Sequence, residues 1–104
     1  MRSFRVNLTD VVKHQILEQF EYIADDSLDN ALGWHDRLLL AIRQIGEHPG
    51  YAVDEEATRR LARETRKLVF EGTYLVFYQT DEAAGVVEVI GFRHGMRLPR
   101  EGEA

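Results

Sequence analysis

Between Thr65 and Pro99 the chain carries three apolar runs of strand length separated by turn chemistry, and this stretch limits what it can fold into. Thr65-Arg66-Lys67-Leu68-Val69-Phe70 is followed by Glu71-Gly72-Thr73 and then by Tyr74-Leu75-Val76-Phe77-Tyr78-Gln79. After a polar turn from Thr80 to Gly85 come Val86 to Phe92 and a basic segment, Arg93-His94-Gly95-Met96-Arg97. Such runs joined by glycine-bearing turns predict an antiparallel β-meander. A meander leaves an apolar face to cover, and the first half of the chain has the pattern to cover it.

Phe4, Val6 and Leu8 alternate with Arg5 and Asn7, the period of a short edge strand. Thr9 is placed to cap a helix over about 10–25, along which Val12, Ile16, Phe20 and Ile23 form one apolar stripe. Ser27 is placed to cap a second helix, striped by Ala31, Trp34, Leu38, Ile42 and Ile45 and ended by Gly46 and Pro49-Gly50. Two amphipathic helices joined by a tight polar link form a hairpin. Residues 50–64 hold few apolar side chains and read as a loop with one helical turn, mobile in the free protein. The expectation is one α+β domain over 1–104, a two-layer sandwich with the N-terminal strand and helical hairpin (10–47) on the meander (65–93) and a frayed tail over 98–104.

With 104 residues, 44% apolar and 30% charged, the chain has room for one core and no compositional sign of disorder. It has no cysteine, which excludes disulfides and thiolate chemistry and would leave any metal to histidine and carboxylate ligands. No histidine pair has i, i+4 spacing on a helix, so neither metal nor cofactor is expected. No run suits a signal peptide or approaches the roughly 18 apolar residues of a membrane span, and a cytoplasmic protein is expected. A glycine-rich phosphate loop, a nucleophile elbow and paired carboxylates are all missing, which argues against a conventional small-molecule enzyme.

The net charge of −5 is unevenly spread: residues 1–58 carry five basic and eleven acidic side chains, and residues 59–104 eight basic and seven acidic. An acidic half repels a polyanion, so general nucleic-acid binding is not expected, whereas a local anionic partner is compatible. Arg59, Arg60, Arg63, Arg66 and Lys67 form one basic cluster, Arg93, Arg97 and Arg100 another. In the first, the acids Glu55, Glu56 and Glu64 stand near enough to neutralise part of the charge. Arg66 and Lys67 alternate on a strand and face opposite ways. In the second, two guanidinium groups flank the imidazole of His94, either as an anion-binding or acid–base corner or, more plainly, as a chain turn at Gly95 with His94 bonded to backbone and solvated arginines. Trp34 lies on an apolar stripe and reads as core. Tyr74 and Tyr78 share a strand face, either to stack on a partner or to pack their rings with wet hydroxyls.

The ordered set of a short strand, a helical hairpin ending near His48-Pro49-Gly50, Arg66-x-Leu68, Gly72-x-Tyr74, Val76-x-Tyr78 and His94-Gly95-x-Arg97-x-Pro99 resembles the RelE/ParE toxin superfamily, its ParE branch in particular, over about residues 3–99. The resemblance implies the toxin half of a type II toxin–antitoxin pair, with an antitoxin that wraps it by an extended or helical tail. RelE-like members cut mRNA on the ribosome; ParE-like members inhibit DNA gyrase. The nuclease branch commonly has an arginine after the tyrosine that opens the central strand, and here Leu75 follows Tyr74; it also tends to have a tyrosine near the chain end, and none follows Tyr78. Without that arginine a scissile phosphate lacks charge stabilisation. The resemblance therefore favours a gyrase-binding poison without chemistry of its own, with Arg66, Arg93, His94 and Arg97 as target-binding residues and the antitoxin in the groove between hairpin and sheet. The alternatives are a metal-independent ribonuclease acting on the ribosome and mRNA, with His94 as acid or base, and a non-toxic interaction partner of the same fold. A homodimer is left open.

Overall fold

The structure, a computed structural model, describes residues 3–99 and 103. Strand β1 (Arg5–Leu8) leads into helices α1 (Asp10–Asp26) and α2 (Leu28–Glu47); a short helix α3 (Glu55–Leu61) precedes strands β2 (Arg66–Phe70), β3 (Tyr74–Asp81) and β4 (Val86–His94). The strands form one sheet in the order β1-β4-β3-β2. The meander β2-β3-β4 is antiparallel as expected, and β1 joins its β4 edge in parallel, with Arg5 opposite Val86 and Leu8 opposite Val89. The sheet is thus mixed, and the α+β layering expected from the sequence is observed.

Both helix starts follow their caps. Thr9 Oγ1 accepts from the Val12 amide at 3.2 Å, and Ser27 Oγ accepts from the Asn30 amide at 3.1 Å. The two stripes face the sheet, where Val12, Ile16, Trp34, Leu38, Ile42 and Ile45 pack with Phe70, Val76, Tyr78, Val87, Val89 and Phe92. At its C-terminus α2 presses directly on β1: the Phe4 amide donates to the Gly46 carbonyl at 2.8 Å, and a Cβ on Gly46 would lie 2.7 Å from the Phe4 carbonyl oxygen. Only glycine leaves that space.

Residues 50–64 depart from the expected loop. Asp54 Oδ1 accepts from the Ala57 amide at 2.9 Å and starts two turns of helix, with Glu55 and Glu56 in the first turn and Arg59 and Arg60 in the last, each complementing the helix dipole. The helix ends on Ala62 at φ 57°. Burial of α3 comes from across the chain: Ala57 sits on Phe77, with Leu61, Leu75 and Ile90 around them, on the sheet face opposite the hairpin. Thr65, fully buried, fixes the exit, its amide donating to Thr58 Oγ1 at 2.9 Å and its hydroxyl to the Arg63 carbonyl at 2.9 Å. The basic cluster here is largely paired, Arg60 with Glu56 at 3.2 Å, Arg66 with Glu64 at 3.3 Å and Lys67 with Asp54 at 3.1 Å.

The end of the helical hairpin is tied to the central strand by one hydroxyl. Tyr78 is wholly buried; its OH donates to the Pro49 carbonyl at 2.5 Å and accepts from the Tyr51 amide at 3.2 Å. A hydroxyl expected to stay wet is dry here, because the reversal at Pro49-Gly50 brings two orphan backbone groups over β3. Burial, only partly offset by the Tyr51 amide, raises the Tyr78 pKa above its ordinary value.

Two substitutions test these joints. Tyr78→Phe strands the Pro49 carbonyl and the Tyr51 amide and is expected to cost about 1–3 kcal/mol in urea denaturation. Because the folded pKa is raised, the hydroxyl's contribution is whole below the ordinary tyrosine value of about 10 and is lost as pH rises from there through the folded value; the variant's stability should fall less steeply over that window. Gly46→Ala forces α2 off β1 and should cost about 1–3 kcal/mol by overpacking, read as a lowered denaturation midpoint with an unchanged slope.

Candidate functional site

The C-terminal end of β4 forms a corner with the second half of α1. His94 faces the helical hairpin, where its ring meets Tyr74 edge-on at 5.5 Å. Tyr74 in turn stacks on Phe92 at 5.6 Å and meets Trp34 at 5.5 Å, and its hydroxyl accepts from Gln19 Nε2 at 3.3 Å. An aromatic column therefore runs from the core to the corner. Burial, and then the negative charge of Glu71, push the Tyr74 hydroxyl pKa up.

Past His94 the chain turns sharply. The Gly95 amide donates to the Thr73 carbonyl at 2.7 Å, and the Arg97 amide to the His94 carbonyl at 3.0 Å. The Met96 amide donates to His94 Nδ1 at 3.1 Å, so the neutral ring carries its proton on Nε2. A Cβ on Gly95 would stand 3.1 Å from the Thr73 oxygen, a tight approach that a side chain here would have to relieve by a few tenths of an ångström. His94 and Arg97 share a cleft of about 400 Å³ with Glu18, Gln19 and Tyr22. Tyr22 in its lining is 75% exposed, and Met96 and Leu98, either side of Arg97 in the chain, are 87% and 86% exposed. The corner thus holds a guanidinium, the Glu18 carboxylate and an imidazole whose Nδ1 is already engaged by backbone, with exposed apolar side chains next to Arg97 in the chain.

The other two predicted residues lie elsewhere. Arg93, adjacent to His94 on the strand, faces the opposite side of the sheet, with its guanidinium 5.2 Å from the centre of the Phe77 ring. It reaches back to the corner through a hydrogen bond from Nη1 to the Arg97 carbonyl. Burial and then repulsion by Arg60 lower the Arg93 pKa, against the pull of Asp54, Glu56 and Glu103. Arg66 pairs with Tyr78 in the sheet register, whereas His94 pairs with Tyr74. Four residues of strand separate those positions, about 13 Å, and two strand spacings of about 4.8 Å add to it. Arg66 Nη1 instead donates to the Tyr51 carbonyl at 2.5 Å, and the side chain lines a separate hollow with Pro49, Gly50 and Glu64. The expected grouping of Arg66 with Arg93, His94 and Arg97 is therefore corrected: His94 and Arg97 share a cleft, Arg93 backs it, and Arg66 helps fasten the hairpin's end. Arg100 of the second basic cluster lies outside the described residues, as do 101, 102 and 104 of the expected frayed tail.

A second concave surface lies on the hairpin itself. Leu8, Ile16, Leu17, Phe20, Leu32 and Leu39 line an apolar groove of about 420 Å³, with Leu17 and Leu32 half exposed. His35 stands within it, edge-on to Phe20 at 5.9 Å.

The model of the ParE toxin of the type II toxin–antitoxin system parDE matches residues 6–99, which span the sheet, both helices of the hairpin and the corner. The chain belongs to the ParE toxin family. It is thus the toxin component of a type II toxin–antitoxin system, and an antitoxin is its partner. No individually curated protein matches the sequence. No helix among the described residues of this ParE-family toxin is long and apolar enough to cross a membrane.

Sequence reasoning missed Gln15, Gln19 and Tyr22 at this end of the toxin. Gln15 and Gln19 each stand one step before an apolar stripe residue, Ile16 and Phe20, and a polar side chain in that position on a buried face is the signal that marks them. The column itself is testable. Tyr74→Ala should cost about 2–4 kcal/mol in denaturant, whereas Tyr74→Phe, which keeps the ring and loses only the Gln19 bond, should stay within about 1.5 kcal/mol.

Proposed function

We propose that this toxin acts by docking its C-terminal corner on a subunit of DNA gyrase, without bond-making chemistry of its own, and that its antitoxin lies along the apolar groove of the helical hairpin. The observation that carries the reading is the composition of the corner. Tyr22 lines the cleft with Arg97, and Met96 and Leu98, either side of Arg97 in the chain, are exposed, the mixture of apolar anchors and arginine that concentrates binding energy at protein interfaces. The runner-up, ribosome-dependent mRNA cleavage with His94 as acid or base, calls for a cation at the phosphate beside the imidazole. Arg66 stands at the far end of the sheet with its guanidinium on Tyr51 and Glu64, which leaves Arg97 as the cation beside His94 in the cleft.

Purified toxin is expected to inhibit DNA supercoiling by gyrase, and its induction in cells to raise a DNA-damage response with transcripts intact. Met96→Asp, Leu98→Asp and Arg97→Ala should each weaken inhibition about tenfold or more while leaving the denaturation midpoint within about 0.5 kcal/mol of the parent. Unaffected supercoiling would remove the gyrase reading. Translation-dependent mRNA cleavage abolished by His94→Ala would replace it with the nuclease.

A further inference from the structure

Strand β1 covers only part of the β4 edge. Its last partner is Val89, where the Thr9 amide donates to the Val89 carbonyl at 3.2 Å. Among the described residues, the stretch of β4 from Ile90 to His94 has a strand neighbour on the β3 side alone. On the open side α1 supplies a substitute: Gln15, only 7% exposed, accepts from the Phe92 amide through Oε1 at 3.0 Å. That bond settles which way the amide points. With the oxygen committed to Phe92, Gln15 can turn only N–H donors toward the rim, and a buried donor needs an acceptor.

The acceptor is the chain's own Glu103. Gln15 Nε2 donates to Glu103 Oε2 at 2.9 Å, and from the other face of the sheet Arg60 Nε donates to the Glu103 main-chain carbonyl at 3.0 Å. One donor thus reads the carboxylate and another the backbone of the same residue, so what is recognised is an acidic residue within a peptide rather than a free anion. Arg93, on the same side as Arg60, adds positive field, and its own charge is favoured by Glu103. A charged acceptor on a fixed amide donor makes a stronger bond than a neutral one.

We propose that Gln15 and Arg60, on either side of the open half of the β4 edge, form a docking site for an acidic residue in a peptide segment of a protein partner, and that Glu103 fills this site in the free toxin. A residue within a peptide segment suits it because one donor takes the carboxylate and the other the main-chain carbonyl of the same residue. Being tethered, Glu103 competes at an effective concentration on the order of millimolar, so a partner must bring further contacts to displace it. The site is separate from the His94–Arg97 cleft and does not depend on the target assigned to that cleft.

The test uses full-length, ¹⁵N-labelled toxin carrying Glu103→Ala and a synthetic peptide with the sequence of residues 98–104. The peptide should shift the Gln15 side-chain amide and Arg60 Nε–H resonances. The same peptide carrying Glu103→Gln should bind about tenfold more weakly or worse, and Arg60→Gln in the protein should weaken the acidic peptide. The parent protein, with Glu103 in place, should bind it more weakly than the Glu103→Ala protein. Equal affinity for the two peptides, shifts confined to other residues, or equal affinity of parent and variant for the acidic peptide would each overturn the proposal. Gln15 is left unsubstituted because its loss would strand the Phe92 amide and disturb the sheet itself.

Discussion

Strand β3 is the constraint on which the rest of the molecule depends. Its side chains alternate between two apolar clusters, Tyr74, Val76 and Tyr78 toward the helical hairpin and Leu75 and Phe77 toward α3. A slip of one residue in its pairing would send every one of these to the wrong side. The register is held at one end by the tight turn through Glu71 and Gly72, both at positive φ, and at the other by the Asp81 carboxylate accepting from the Ala84 amide at 3.0 Å. Between them, Phe77 is opposite Gly91 and Tyr78 opposite Val89, so Ile90 is an extra residue on β4. That bulge lets Val89 and Phe92 both face the hairpin, although they stand an odd step of three positions apart.

Much of this was legible from local pattern. The two caps, the two stripes, the turn residues and the three runs after Thr65 each report on their own neighbourhood, and each formed where the sequence placed it to within a residue or two. Helix α3 was not legible, because its stability comes from Phe77, Leu75 and Ile90, residues far along the chain whose outward face looks like any other strand face. The parallel pairing of β1 with β4 was hidden for the same reason: alternation identifies a strand and says nothing of its neighbour. The dry hydroxyl of Tyr78 depends on where the Pro49-Gly50 reversal lands, which no local rule supplies.

The site was legible in kind and not in grouping. His94, Gly95 and Arg97 are close in sequence, and one turn brings two of their side chains to one cleft. Arg93 and His94 are closer still, and strand geometry drives them apart. Arg66 was linked to them by charge alone, and charge has no address: in an antiparallel meander the start of β2 and the end of β4 lie at opposite ends of the sheet. Gln15, Arg60 and Glu103 come from three distant stretches, and only folding brings them to one edge.

The parallel pairing of β1 with β4 joins residues about eighty positions apart, with the hairpin, α3 and two strands threaded between them. Closing so long a loop early is entropically costly, so β1 gains its partner only after the meander exists. During synthesis the hairpin emerges before any strand of the meander, and β4, which receives β1, follows β2 and β3 in the chain. A nascent chain that has not yet reached Val86 therefore has neither the strand that pairs with β1 nor the corner at the end of β4.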